Sequence, residues 1–488
     1  MANAGSTVDA SDISTIMCPQ YDSTTFADKL GQEDCLVLNI YVPESALEDG
    51  GDKRSVMVWI HGGGLVFGAN TMDTGDKYSP FPLIDNDVIV VTINYRLSYL
   101  GFMFMDTEDV PGNAGLRDQT MALQWVQDNI AEFGGDPGSV TIFGQSAGSW
   151  SVSYHLASPL SSGLFSRAIL ESGTSVSLSS SPVSPERALR GQQVVAEYLN
   201  CTGEDKDQVL ACMQSKDPFD LVNVLAFPNA DGGYAAPVVD ADVGIPDPFL
   251  PAHTDHIFST GQFNKDIEVM IGTTKDEAIL FMMPALNGTQ PWEDVQATFS
   301  SFFVQIMFNI PPDMITDEDI SRAKEVLQFY CGNVEDINEE NKQNFINMVT
   351  DSNFLYGSFK QVNYLLEQGV PTYQYILTHE GDHSFSTTLG YQKFGVCHGD
   401  DLQYLFEPSA ITDSVDGEDA MVRDMMAAAW TQFAKTGDPS PPGASFSWTP
   451  VNNPNSHEFL DIDGPNPGMK TDTAIDERMS FWAQMRTN

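Results

Sequence analysis

An α/β fold with one mostly parallel central sheet and helices on both faces follows from three features of this chain. Short apolar, β-branched runs recur at residues 56–60, 88–93, 140–143, 168–170, 269–271 and 373–377. Helix-like stretches lie between them, and strands that alternate with helices pair in parallel through crossovers. The recurring runs extend along most of the 488 residues. A length prior allows about two to four domains, but a single large sheet with helical insertions fits that spread better.

Taken in order, residues 55–60 form an apolar strand that runs into His61-Gly62-Gly63-Gly64. Residues 118–130 read as a helix with Met121, Trp125 and Val126 on one face. Residues 139–143 are a short buried strand, followed by Gly144-Gln145-Ser146-Ala147-Gly148 and a helix start at residues 149–156. Residues 187–227 and 294–330 are helical without strands and are expected to form a lid region. Residues 420–435 read as a helix stopped by Gly437 and Pro439. No internal repeat or low-complexity segment interrupts this order.

The chemistry centres on Ser146. Gly-x-Ser-x-Gly between a strand and a helix is the context of a nucleophile elbow, where glycines allow a turn that a Cβ would block. The glycine run after residues 55–60 would let backbone amides approach a substrate. The N–H groups of Gly63, Gly64 and Ala147 are therefore expected to form an oxyanion hole. A serine needs a base. Of eight histidines, His61 belongs to the glycine loop, and His253, His256 and His457 sit in Pro-rich or polar stretches. His155 reads as a satisfied core histidine. His379 and His383 follow a strand and offer no third ligand for a metal. His398, in a glycine-flanked loop before an apolar helix, is the best base candidate. Between Ser146 and His398, only Asp276 and Glu277 directly follow an apolar strand, so the acid that orients the base is sought there.

These residues sit in stretches that resemble the carboxylesterase type B family, which includes cholinesterases and juvenile hormone esterases. The resemblance rests on Glu33-Asp34-Cys35, the Trp59 to Gly64 loop, Asn94-Tyr95-Arg96, Gly112-Asn113-Ala114-Gly115 and Phe133-Gly134-Gly135-Asp136-Pro137. It continues in Glu171-Ser172-Gly173, Phe433-Ala434-Lys435-Thr436-Gly437 and Arg478-Met479-Ser480-Phe481-Trp482. It implies a single α/β-hydrolase domain over residues 1–488 with helical lid insertions. It also implies a Ser146-Glu277-His398 triad, with Glu277 rather than Asp276 as the acid, that hydrolyses carboxylic esters through an acyl-enzyme. Alternatives are a lipase or sterol esterase, a cholinesterase-like adhesion protein, or an inactive truncated form. The adhesion relatives lose triad residues, which this chain keeps.

Two departures from the family pattern stand out. Only seventeen residues precede Cys18, so the family's opening strands are expected to be missing. The tryptophan that stacks on choline in cholinesterases has no counterpart between Cys18 and Cys35, and Gln145 stands where cholinesterases have glutamate. The expected substrates are therefore neutral or hydrophobic esters.

Composition narrows the partners. With 23 basic and 68 acidic residues the formal charge is −45, which repels nucleic acid and anionic membranes. Acids cluster at residues 313–319, 335–340 and 413–419 and read as a hydrated surface. No run of eighteen apolar residues offers a membrane span, residues 1–14 show no signal peptide, and no cofactor or metal is expected. The resemblance implies Cys18–Cys35 and Cys201–Cys212 bridges, leaving Cys331 and Cys397 without family partners. With sequons at Asn200 and Asn287, the bridges point to a secreted protein.

Overall fold

The computed structural model of the protein describes residues 16–23, 25–47, 51–70, 79–223, 236–297, 303–310, 314–332, 337–407, 415–454 and 457–487. The sequence readings for residues 1–14 and 224–227, and for the acids at 313, 335, 336 and 413, lie outside them.

Two short strands, β1 (Gln20–Tyr21) and β2 (Lys29–Leu30), pair with each other apart from the main sheet. The main sheet holds β3 (Leu38–Tyr41), β4 (Arg54–Ile60), β5 (Ile89–Ile93), β6 (Gly135–Gln145) and β7 (Arg167–Glu171). It continues with β8 (Glu268–Thr274), β9 (Thr372–Leu377), β10 (Phe459–Ile462) and β11 (Gly468–Lys470). Their order is β11-β10-β9-β8-β7-β6-β4-β5-β3. The strands from β10 to β5 in that order run parallel, whereas β3 and β11 are antiparallel to their neighbours.

The parallel strands read as unbroken apolar runs because both their faces are covered. Val56, Val58 and Ile60 of β4 pack into one core cluster, with Leu116, Leu123 and Val126 of the helix Ala114–Asn129. Met57 and Trp59 of the same strand point to the other face and join Trp430 and Phe433 of the helix Gly417–Thr436. The sequence reading of the Ala114–Asn129 helix needs one correction. Met121 is exposed, and Leu116 and Leu123 take the inward face with Val126. Gly437 ends the Gly417–Thr436 helix in the left-handed conformation at φ 80°, the expected stop.

β4 has β5 on one side and β6 on the other. The chain therefore reverses direction across the sheet between β4 and β6. In open parallel sheets such a point leaves a crevice at the carboxyl ends of the strands. The two stretches expected as a lid behave differently. Helices Trp292–Ala297, Val304–Phe308 and Asp317–Cys331 share a cluster with Ala278 and Cys397, which flank the candidate acid and base. The helices Pro185–Tyr198 and Lys206–Gln214 instead pack into the main core through Val195, Leu199, Val209 and Met213. Arg187 ties the two regions together by donating to the carbonyl and side chain of Asn309. Asp317, Glu318 and Asp319 form the first turn of a helix closed by a Thr316/Asp319 capping box. Acids there are stabilised by the helix dipole.

Cys18 is bonded to Cys35 and Cys201 to Cys212, while Cys331 and Cys397 are free and buried. Short loops of this size contribute on the order of 2–4 kcal/mol each by restricting the unfolded chain. Cys397 is fully buried, so a thiol reagent is not expected to reach it or to crowd His398 in the folded protein, contrary to what its neighbouring position suggests. The native protein should react negligibly with a chromogenic thiol reagent, and the denatured, unreduced protein should expose two thiols. Rapid native labelling of Cys397 would contradict this packing.

Candidate active site

The site lies at the carboxyl ends of β4, β6 and β8. β6 ends at Gln145, and Ser146 turns the chain at φ 58°, ψ −122° into the helix Ala147–Ala157. A non-glycine residue in that conformation costs about 1–3 kcal/mol. Its surroundings hold it: the Ser146 amide donates to the Glu171 carbonyl at 2.9 Å, and the Trp150 amide donates to the Ser146 carbonyl at 2.9 Å. Gly144 and Gly148 serve close approach. A Cβ on Gly148 would stand 2.0 Å from the Ile60 carbonyl oxygen, and one on Gly144 would stand 2.6 Å from the same atom. The elbow is therefore pressed against the end of β4.

That contact brings the glycine loop to Ser146. A Cβ on Gly62 would lie 3.2 Å from Ser146 Cβ, and Gly63 and Gly64 take left-handed conformations at φ 96° and 63°. Among the described residues, none accepts a hydrogen bond from the amides of Gly63, Gly64 or Ala147. Ala147 is the first residue of its helix, where amides lack intrahelical acceptors and the dipole favours negative charge. Beneath the loop, His61 is buried and stacked on Tyr95 with ring centroids 4.3 Å apart, and its Nδ1 lies 2.9 Å from the Gly62 carbonyl. Burial holds this imidazole down at about 4, so it is neutral near pH 7.

Glu277 follows β8 and is fully buried. One carboxylate oxygen accepts from the Thr274 amide at 2.8 Å, and the other lies 2.5 Å from His398 Nδ1. Asp276 points elsewhere. It accepts from Gln343 Nε2 at 2.8 Å and from the Val396 amide at 3.2 Å. The two adjacent acids thus have different roles, since one meets the histidine and the other fastens the loop that carries it. Asp400 fastens the same loop from the far side, accepting from the amides of Cys397 and Phe385 and from Ser384 Oγ. Phe354 covers His398 at a centroid distance of 4.9 Å. The other histidines lie apart from this group. His155 bonds Gln119 and Ser161 in the core, His379 bonds Asp419, His457 bonds Asp476, and His253 caps a helix.

Sequence reasoning missed part of this site. Phe354 sits in a π-helical segment, Asp351–Leu355, which has no local sequence signature. Asp400 and Asp401 follow His398 directly, yet in so acidic a chain they read as surface charge. Both are buried. Burial raises each to about 7, and for Asp401 the nearby Glu277 charge adds to it. Glu171, also fully buried, is raised well above the usual carboxylate range by burial and by Asp401, against the pull of a 2.7 Å bond from Trp430 Nε1.

Neither oxygen of Asp401 has a hydrogen-bond partner among the described residues. Its folded value lies above the ordinary 3.8, so between about 4 and 7 the folded state binds more protons than the unfolded chain. Stability therefore falls as pH rises through that window, and the cost of the buried charge is complete above it. Asp401→Asn cannot ionise, so its melting temperature relative to the parent should rise from pH 5 to pH 8. An equal difference at both pH values would contradict the buried-charge assignment.

Comparison with known proteins identifies the family of the chain. The profile of the Carboxylesterase family matches residues 6–482. Juvenile hormone esterase of Tribolium castaneum is 33% identical over 449 residues, 86% of this chain and 73% of that protein. Esterase FE4 of Myzus persicae is 32% identical over 438 residues, 86% of this chain and 74% of that protein. The crystal structure of juvenile hormone esterase from Manduca sexta, with OTFP covalently attached, matches with a TM-score of 0.83 at 26% identity, covering 97% of this chain and 88% of that one. The sheet and its helices are those of the α/β-hydrolase fold. A family profile over nearly the whole chain, together with relatives at this level of identity, places this protein in the carboxylesterase family.

Proposed function

We propose that Ser146, His398 and Glu277 are the catalytic triad of this carboxylesterase, and that the amides of Gly63, Gly64 and Ala147 hold the oxyanion. The contact that carries this reading is Glu277 Oε2 to His398 Nδ1 at 2.5 Å, beside a serine held in a strained elbow. Glu277 keeps the proton on Nδ1, which leaves the Nε2 lone pair for the serine proton. Ser146 Oγ adds to the ester carbonyl carbon, and His398 takes its proton. The carbonyl oxygen, now negative, sits among amides that have no other acceptor among the described residues. Collapse expels the alcohol, which receives the proton from His398. Water, deprotonated by the same nitrogen, then attacks the acyl-serine, and its proton passes from His398 to Ser146 Oγ as the acid leaves.

The substrates proposed are neutral short-chain or hydrophobic esters. Residues 19–34 contain no tryptophan, and an uncharged glutamine precedes Ser146, so a cationic alcohol has neither the ring nor the carboxylate that would bind it. Phe354 and the half-exposed Phe281, ring centroids 6.3 Å apart, offer an apolar surface beside His398. The protein is further proposed to work outside the cell, with glycans on Asn200 and Asn287. Asn200 is exposed, and two disulfides require an oxidising compartment.

Ser146→Ala should abolish fluorophosphonate labelling and lower kcat/KM by at least about 10³-fold. Labelling that survives the substitution would exclude Ser146 as nucleophile. Glu277→Gln should reduce kcat by about 10³-fold or more, while Asp276→Asn, which loosens only the loop, should leave turnover within about tenfold; equal losses would undo the assignment of the acid. In a panel of p-nitrophenyl and thiocholine esters of matched acyl groups, the neutral alcohols should be preferred. A preference for thiocholine would contradict the substrate class.

A further inference from the structure

The resting contact of the candidate base is with Gln145. Gln145 Nε2 lies 3.1 Å from His398 Nε2. Glu277 accepts from Nδ1–H, so in the neutral ring Nε2 is a bare lone pair and the glutamine amide is the donor. Ser146 Oγ makes no hydrogen bond to His398 or to any other described residue. Gln145 is held in place: it is 4% exposed, its Oε1 would lie 3.1 Å from a Cβ on Gly62, and its Nε2 would lie 3.8 Å from one on Gly399. The side chain thus fills the space between the oxyanion loop and the base.

We propose that Gln145 is a positioning residue that caps the base: its amide occupies the His398 lone pair in the substrate-free protein, and Ser146 gains that lone pair only when an ester displaces the contact. This deepens the triad reading and rests on it. The cap keeps the serine a weak nucleophile toward reagents too small to displace the amide. It also places an uncharged group where a carboxylate would pair with imidazolium and hold the base in its protonated, inactive form. The other titratable groups gathered around the ring are Glu277 on Nδ1, Cys397, Asp400 and Asp401 on its own loop, Glu171 at the end of β7 and Tyr375 in β9. None of them has a described hydrogen bond to Nε2. A change at position 145 therefore acts on that nitrogen directly.

Two variants test the cap. Gln145→Met keeps the length and removes the donor. Fluorophosphonate labelling of Ser146 at pH 8 should become roughly two- to tenfold faster, the range of one neutral hydrogen bond. Gln145→Glu should move the acid limb of the kcat/KM–pH profile for p-nitrophenyl acetate to higher pH by about one unit or more, because a carboxylate facing Nε2 favours imidazolium. A side chain that only fills space would lower activity in both variants without moving the limb. An unmoved limb in Gln145→Glu, or slower labelling in Gln145→Met with an unchanged melting temperature, would overturn the proposal.

A third measurement does not depend on turnover. In histidine ring-¹⁵N-labelled protein carrying Ser146→Ala, adding Gln145→Met should shift the His398 Nε2 resonance downfield as its hydrogen bond is lost, with His398→Gln supplying the assignment. No shift would overturn the cap. A parent protein that neither hydrolyses esters nor labels, yet shows this shift, would instead refute the triad reading while leaving the contact established.

Discussion

The site depends on one close approach: the end of β4 against the elbow after β6. The Ile60 carbonyl stands where a side chain on either Gly144 or Gly148 would have to be. Any larger residue at these positions would push the two strand ends apart. Because β4 and β6 are neighbours at the point where the chain reverses across the sheet, their loops leave in different directions and do not obstruct each other. The glycine loop can then lie over the serine, and the helix Ala147–Ala157 can direct its free N-terminal amides to the same place. The strain at Ser146 is sustained by backbone hydrogen bonds to β7 and to its own helix. The serine conformation thus reflects the sheet that surrounds it as much as the motif that contains it.

The second constraint is charge. Basic residues are outnumbered about threefold, 23 against 68, so the placement of each part-buried arginine matters. Arg117 reaches the fully buried Asp240, which also accepts from the amides of Phe249 and Leu250. This anchors the segment that leads into β8. Arg478 of the C-terminal helix pairs with buried Asp351, which also accepts from Tyr330. Asp351 opens the π-helical segment that sets Phe354 against His398. An ion pair near the chain's end thereby helps shape the wall of the candidate site. Removing Arg478 would leave the fully buried Asp351 without its cation, and the disturbance would reach His398 through Phe354.

Around His398 the pattern is reversed: Glu171, Glu277, Asp400 and Asp401 are buried, and no lysine or arginine is paired with any of them among the described residues. Such a cluster cannot be fully ionised in a low-dielectric interior. Glu171 and Asp401 are pushed toward their neutral forms, whereas Glu277 bonds the histidine and a backbone amide. Burial thus weakens the charge of the acids that crowd this loop, while Glu277 spends both its oxygens on hydrogen bonds.

What the sequence determined by itself is what short-range physics controls. β-branched runs marked the parallel strands, because a strand covered on both faces must be apolar throughout. Gly144 to Gly148 marked the elbow, because only glycine permits backbones to approach so closely. Gly437 marked the end of the Gly417–Thr436 helix. The tertiary structure decided the rest. Met121 and Leu123 are equally apolar, yet packing sent one outward and the other inward. Strands β10 and β11, of four and three residues, are too short to stand out, and pairing of β10 with β9 and of β11 with β10 is what makes them strands. Asp276 and Glu277 are adjacent acids after the same strand, and only the path of the 395–400 loop separates their roles. Asp400 and Asp401 resemble the chain's many surface acids, because burial depends on what folds over a residue rather than on its neighbours in sequence. Gln145 stood inside the motif throughout, but its contact with His398 joins residues 253 positions apart, a distance that only the folded sheet closes.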